Sequence, residues 1–225
     1  MMLALKDPNQ TSLLSIQARQ NWKKLSAVRK FISLAHRTKK REPAELIVGK
    51  RYKVGKKIAN GAFGQLRLVK DIVTGEDLAI KLEPVNARIP QLFLEFEFYK
   101  KMGMDRALPS IHYYGICGQY NTMVMDLLGP NLEDLFNLCG RRFSIKTVQL
   151  IGIQLLYRIE KIHEHGLIYR DVKPENILVG RMAQQKENVL HIVDYGLAKP
   201  YIDSETHKHV TYAEHRSITG CLLLL

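Results

Sequence analysis

In "IYRDVKPENILV", residues 168–179, an Asp, a Lys two positions on and an Asn five positions on are enclosed by apolar residues. A core segment would not gather Arg170, Asp171, Lys173, Glu175 and Asn176 without partners, since burying an unpaired polar group costs roughly 2–7 kcal/mol. A surface loop would not need Ile168, Ile177, Leu178 and Val179 as flanks. A turn anchored on both sides that presents a carboxylate, an ammonium and an amide suits chemistry on a charged substrate better than it suits packing.

Three other stretches join it. "IANGAFGQL", residues 58–66, holds Gly61 and Gly64 around Ala62, where a bare backbone lets N–H groups approach a phosphate closely. A plain hairpin turn is the simpler reading of those glycines. "LAIKL" puts Lys81 on an apolar strand, and Glu95 follows fourteen residues later where it could pair with it. An ordinary surface lysine is the simpler reading there. "HIVDYG" ends an apolar run at Asp194. Each piece has a bland alternative, but the ordered set does not.

The elements that must position these residues are readable from periodicity. "YKVGKKI" and "QLRLV" alternate as strands, and "TGED" turns the chain into a third, "LAIKLE". "PQLFLEFEFYKKMG" reads as a helix with Pro90 near its start and Gly103 just past its end. "IHYYGICG" and "NTMVMDLL" add two strands, and a break follows near Leu127–Pro130. After the break "LEDLF" starts a short helix, and residues 144–165 form a long one between Ser144 as N-cap and Gly166. Val148, Ile151, Ile153, Leu155, Leu156, Ile159 and Ile162 spread around that long helix, which predicts burial on several sides. The expected fold class is α+β and bilobal: a five-stranded, one-helix lobe, then a helical lobe. The expected divisions are an arm over 1–45, lobes over 46–128 and 129–220, and an apolar tail over 221–225.

Glycine loop, strand Lys, helix Glu, Asp-x-Lys-x-x-Asn and Asp-Tyr-Gly match the protein-kinase signature in order and in rough spacing. The chain therefore resembles a eukaryotic protein kinase. "LEPVNARIPQLFLEFEFYK", "LLGPNLEDLF", "LIYRDVKPENILVG" and "DYGLAKPYID" look like the casein kinase 1 family, gamma branch, over about residues 46–220. The resemblance implies a serine/threonine kinase using ATP and Mg2+, with protein substrates that are acidic or already phosphorylated near the target.

It also implies roles for individual residues, in a reaction that consists mainly of positioning and charge neutralisation. Lys81 would hold the α- and β-phosphates and Glu95 would hold Lys81. Asp171 would accept the substrate hydroxyl's proton, and Lys173 would reach the γ-phosphate. Asn176 and Asp194 would be the metal ligands, offering oxygen to a hard cation. Ala59, Gly61 and Gly64 would lie over the phosphates. The adenine would meet the backbone of Asp126 and Leu128, with Asp134 near the ribose.

Several positions depart from the family pattern. Ala59 replaces the first loop glycine, and a Cβ disfavours positive φ, so looser closure on phosphate is expected. Tyr195 stands where Phe is usual and can fill that pocket only if its hydroxyl finds a partner. Ala213 replaces a basic residue, which thins an anion-reading cluster that still includes Arg216. After "SITG" the family continues with Thr-Ala-Arg and a further helical segment, whereas this sequence reads "CLLLL". A truncated gene model or splice product is expected rather than an evolved minimal kinase, and the 144–165 helix should then expose much of its apolar surface. The other reading of the function is a catalytically inactive kinase fragment that only binds partners.

Charge and composition fit this frame. Of the net +12, residues 1–41 supply +9 through ten Lys/Arg against Asp7 alone, so the basicity belongs to the arm. Within the arm Trp22, Leu25, Val28, Ile32 and Ala35 recur at helical steps among Lys and Arg. That pattern suits a solvated arm, an amphipathic helix in peripheral contact with an anionic membrane, or a basic targeting patch. Cys117, Cys139 and Cys221 form no CxxC pair, which argues against a zinc ribbon and for a reducing compartment. A monomer without nucleic-acid partners is expected. Its expected location is cytoplasmic, with a nuclear or peripheral membrane pool open to it through the arm.

Overall fold

A computed structural model describes residues 46–61, 64–203 and 205–211. The readings of the basic arm, Ala62, Ala213, Arg216 and the apolar tail lie outside these residues. The first lobe is a six-stranded antiparallel sheet in the order β1-β2-β3-β4-β6-β5. Its strands are β1 (Ile47–Val48), β2 (Tyr52–Gly61), β3 (Gly64–Asp71), β4 (Asp77–Pro84), β5 (Ile111–Cys117) and β6 (Tyr120–Asp126). The expected count of five omitted β1. Two residues are too short to show alternation, and β1 joins β2 through a tight turn in which Gly49 and Lys50 both have φ of 57°.

β4 explains the division of the lobe. Leu78, Ile80 and Leu82 point to one face and pack with Val48, Tyr52, Val69 and Val124. Ala79 points to the other face, toward helix α1 (Leu92–Met102), and the period of two puts Lys81 and Glu83 on that face as well. α1 buries Leu92, Glu95, Phe98, Tyr99 and Met102 at steps of three and four, the stripe expected of a helix lying on a sheet.

Beyond residues 127–130 come α2 (Leu132–Leu138) and α3 (Ile145–Glu164). Both carry side-chain N-caps, of which the one on α3 was expected. Asn131 Oδ1 accepts from Asp134 N at 2.7 Å, and Ser144 Oγ accepts from Thr147 N at 3.1 Å. Two short antiparallel pairs follow: β7 (Leu167–Ile168) with β10 (Lys199–Pro200), and β8 (Ile177–Val179) with β9 (Leu190–Ile192).

The expectation that α3 is buried on several sides does not hold among the described residues. Only Ile162 is fully buried, with Ile151, Leu155 and Ile159 partly covered on the same side. Ile145, Val148, Ile153 and Leu156 are more than half exposed, Ile145 at 79% and Leu156 at 75%. The exposure of much of its apolar surface, the other expectation for this helix, is what the described residues show. The main core joins the two lobes, with Met123, Met125 and α1 on one side and Ile162, Leu167, Tyr169, Ile192 and Tyr195 on the other.

Candidate active site

Lys81 sits mid-sheet, opposite Leu66 on β3 and Met123 on β6. Its Nζ donates to both Glu95 oxygens, at 2.8 and 2.7 Å, and to Asp194 Oδ1 at 3.0 Å. Glu95 is 2% exposed, so its charge depends on this partner. Burial works against the Lys81 ammonium, but Glu95 and then Asp194 outweigh it and raise its pKa above the ordinary lysine value. Burial pushes Glu95 up despite Lys81. Burial would push Asp194 up too, yet Lys81, with help from Lys173, keeps its carboxyl below the usual range.

Asp194 is placed by β9 and by its own backbone, which is left-handed with φ 65° and ψ 71°. Asp tolerates that region better than most residues. Next to it Gly196 lies against α1, where an added Cβ would stand 2.6 Å from Gln91 Oε1. Tyr195 is 1% exposed, and its ring meets Tyr99 and Tyr169 edge-on at 5.0 and 5.3 Å. Its other side borders a cavity of about 40 Å³ shared with Asp105, Arg158 and His165, which has room for water.

The turn in "YRDVKPEN" is anchored on both sides. Before it, Ile168 pairs with Lys199; after it, Ile177 pairs with Ile192, and Val193 N donates to Asn176 O at 3.0 Å. Tyr169 Oη donates to Val193 O at 2.5 Å, and Arg170, with φ 67°, donates through Nε to Leu197 O at 2.7 Å. The apolar flanks therefore hold the turn against the strand that delivers Asp194. Within the turn Asp171, 4% exposed, accepts from Lys173 Nζ at 2.6 Å and from Asn176 Nδ2 at 2.8 Å.

These two triads hold the groups that phosphoryl transfer requires: a carboxylate able to take a proton, two ammonium groups, and two oxygen donors. No cluster of three or more His, Cys, Asp or Glu side chains suited to a metal occurs among the described residues. Asn176 and Asp194 each carry a side-chain oxygen, the ligand type a hard cation prefers.

The other expected ligand-binding positions are more varied. Gly64 pairs with Gly61 at the end of the β2–β3 hairpin, and a Cβ there would overlap the Leu82 carbonyl oxygen. Glycine is thus required at 64 by the adjacent strand, whatever lies above it. Ala59 is paired with Leu66 inside β2 and has no positive φ, so the backbone reason given for looser closure on phosphate does not apply at this position. Asp126 and Leu128 fall at the junction of the lobes, where Gly129 N and Val179 N bond across to Val179 O and Pro130 O. The Asp126 side chain turns away to Ser110 N at 3.0 Å and His112 Nε2 at 2.7 Å. Asp134 is exposed in the first turn of α2.

Sequence reasoning passed over Glu83, Gln91, His112 and the Tyr99–Tyr195–Tyr169 stack. For Glu83 a signal existed: residues two apart on a strand share a face, so Glu83 had to point where Lys81 points.

The family model described as the protein kinase domain matches residues 52–216, a span that contains β2 through β10 and both triads. By that match and this fold the chain belongs to the protein kinase family, whose members transfer a phosphoryl group from ATP with the help of a divalent cation.

Proposed function

We propose that this protein is a serine/threonine kinase of the casein kinase 1 type, closest to the gamma branch, acting on acidic or already phosphorylated protein substrates. The observation that carries the reading is the convergence of Lys81, Glu95 and Asp194 from three elements, beside a turn in which Asp171, Lys173 and Asn176 are already hydrogen-bonded. Bound Mg-ATP would supply the phosphoryl group. Lys81, fixed by Glu95, binds phosphate oxygens, and Asn176 and Asp194 offer oxygen to the cation. Asp171 orients the substrate hydroxyl and takes its proton. Lys173, already beside Asp171, places its charge where the transferred group gains negative charge.

The bare side of α3 favours a second reading, a kinase segment that binds partners without catalysis. One experiment separates the two. The purified chain is given radiolabelled ATP, Mg2+ and acidic peptides carrying Ser, Thr or Tyr. Incorporation into Ser and Thr peptides only, lost in Asp171→Asn, is the expected result. A folded chain that is neither stabilised by nucleotide nor able to incorporate label would sink the catalytic reading.

A further inference from the structure

Glu83 is 3% exposed and has no part in the chemistry above. It shares the α1-facing side of β4 with Lys81, two residues away. Its Oε1 accepts from Gln91 N at 2.7 Å and Leu92 N at 3.1 Å, and Asn121 Nδ2 on β6 approaches Oε2 at 3.5 Å. Those two amides are among the first N–H groups of α1, which have no acceptor inside the helix. The N-cap residue Gln91 supplies no side-chain cap of its own. A buried carboxylate from β4 caps the helix instead, in charge-assisted hydrogen bonds at the positive end of the helix dipole.

The same strand thus grips α1 twice, at its N-terminus through Glu83 and one turn on through Lys81 and Glu95. Gln91, whose N–H Glu83 holds, also lays its side chain against Gly196 in the Asp-Tyr-Gly turn. We propose that Glu83 is a positioning residue: it sets the N-terminus of α1 and, through Gln91, the turn bearing Asp194, so that Lys81, Glu95 and Asp194 meet. Its part in turnover rests on the phosphoryl-transfer reading, whereas its hold on α1 does not.

The test measures two things on the full chain, hydrogen–deuterium exchange at single amides and steady-state kinetics with an acidic peptide. In Glu83→Ala, exchange at Gln91 and Leu92 should quicken about tenfold or more, as expected when a charged acceptor is removed. Turnover at saturating ATP should fall about tenfold, with the peptide KM within about twofold of the unaltered chain. Glu83→Gln keeps an acceptor oxygen without the charge, so exchange should quicken only about threefold and most of the turnover should return. Glu97→Gln, on the exposed side of the same helix, should change neither.

Exchange at Gln91 and Leu92 as slow in Glu83→Ala as in the unaltered chain would overturn the proposal. Should Glu83→Ala fail to fold, unchanged exchange in Glu83→Gln would do the same. Faster exchange in a chain that transfers no phosphate would support the positioning role while removing the catalytic reading. Transfer by a chain whose α1 amides ignore Glu83 would remove the positioning role alone.

Discussion

Lys81, Glu95 and Asp194 reach one another from a strand, a helix and a turn, across as many as 113 positions of sequence. Asp171, Lys173 and Asn176 come from a single turn of six residues. The first set is bonded only when the sheet, α1 and β9 are all in place, and it carries a carboxylate that is 2% exposed. The second set is framed by the two short pairs and by the Tyr169 and Arg170 bonds to Val193 and Leu197, and although Asp171 is 4% exposed, Lys173 keeps 29% of its side chain in solvent. Stability and chemistry should therefore be tied together in the distant set and separable in the local one.

The sharpest way to break this contrast is Lys81→Met. It leaves Glu95 buried without its cation, which should cost about 3–5 kcal/mol and lower the melting temperature by about 10 °C. Adding Glu95→Gln should restore part of that loss in a double-mutant cycle followed by thermal unfolding, because the stranded charge is then gone. Asp171→Asn should behave in the opposite way. Peptide phosphorylation should fall by about 100-fold or more, about 3 kcal/mol of barrier, with the melting temperature within a few degrees of the unaltered chain. Equal losses of stability in the two variants would erase the distinction.

A smaller effect is expected on β9, the strand that delivers Asp194. His191 there is fully buried, and burial, helped by the charges of Lys186 and Arg158, lowers its pKa from 6.5 to about 4. Between those values the unfolded chain holds a proton that the folded chain does not. Stability from this group is complete above pH 6.5 and is lost as pH falls toward 4. Urea unfolding at pH 7 and pH 5 should differ by about 2 kcal/mol from this source, and His191→Leu should remove that difference. The smallest effect belongs to the local side. Ser144→Ala deletes the α3 cap and should cost about 1 kcal/mol in the same unfolding assay, without changing the KM for ATP.

The same contrast governs what was legible in sequence. Asp-x-Lys-x-x-Asn could be read directly because its geometry is local, and the Ser144 cap of α3 was legible for the same reason. The alternation of β2 to β6 and the stripe of α1 gave the sheet lobe, since each pattern reports a face. The pairing of Lys81 with Glu95 was foreseen through the kinase resemblance as much as through spacing. β1, β7 and β10 are two residues long, too short for a period, and their pairing is decided by tertiary contacts. For α3 the same apolar side chains supported both burial on several sides and a bare face, because hydrophobicity records what a helix could cover and not what packs on it; the bare face is what the described residues show. The looser closure expected of Ala59 was argued from a backbone angle, and residue 59 proved to be ordinary strand.

The edge-to-face series of Tyr99, Tyr195 and Tyr169 gives the molecule an optical gauge of its own assembly. Three phenol chromophores from α1, the Asp-Tyr-Gly turn and the turn bearing Asp171 are held at angles of 72° and 73°. Chromophores coupled in this way absorb left- and right-handed circularly polarised light unequally, by an amount that depends on their mutual orientation. The contribution of this series to near-ultraviolet circular dichroism would therefore report any change in how α1 and the two turns sit against one another, with no label attached.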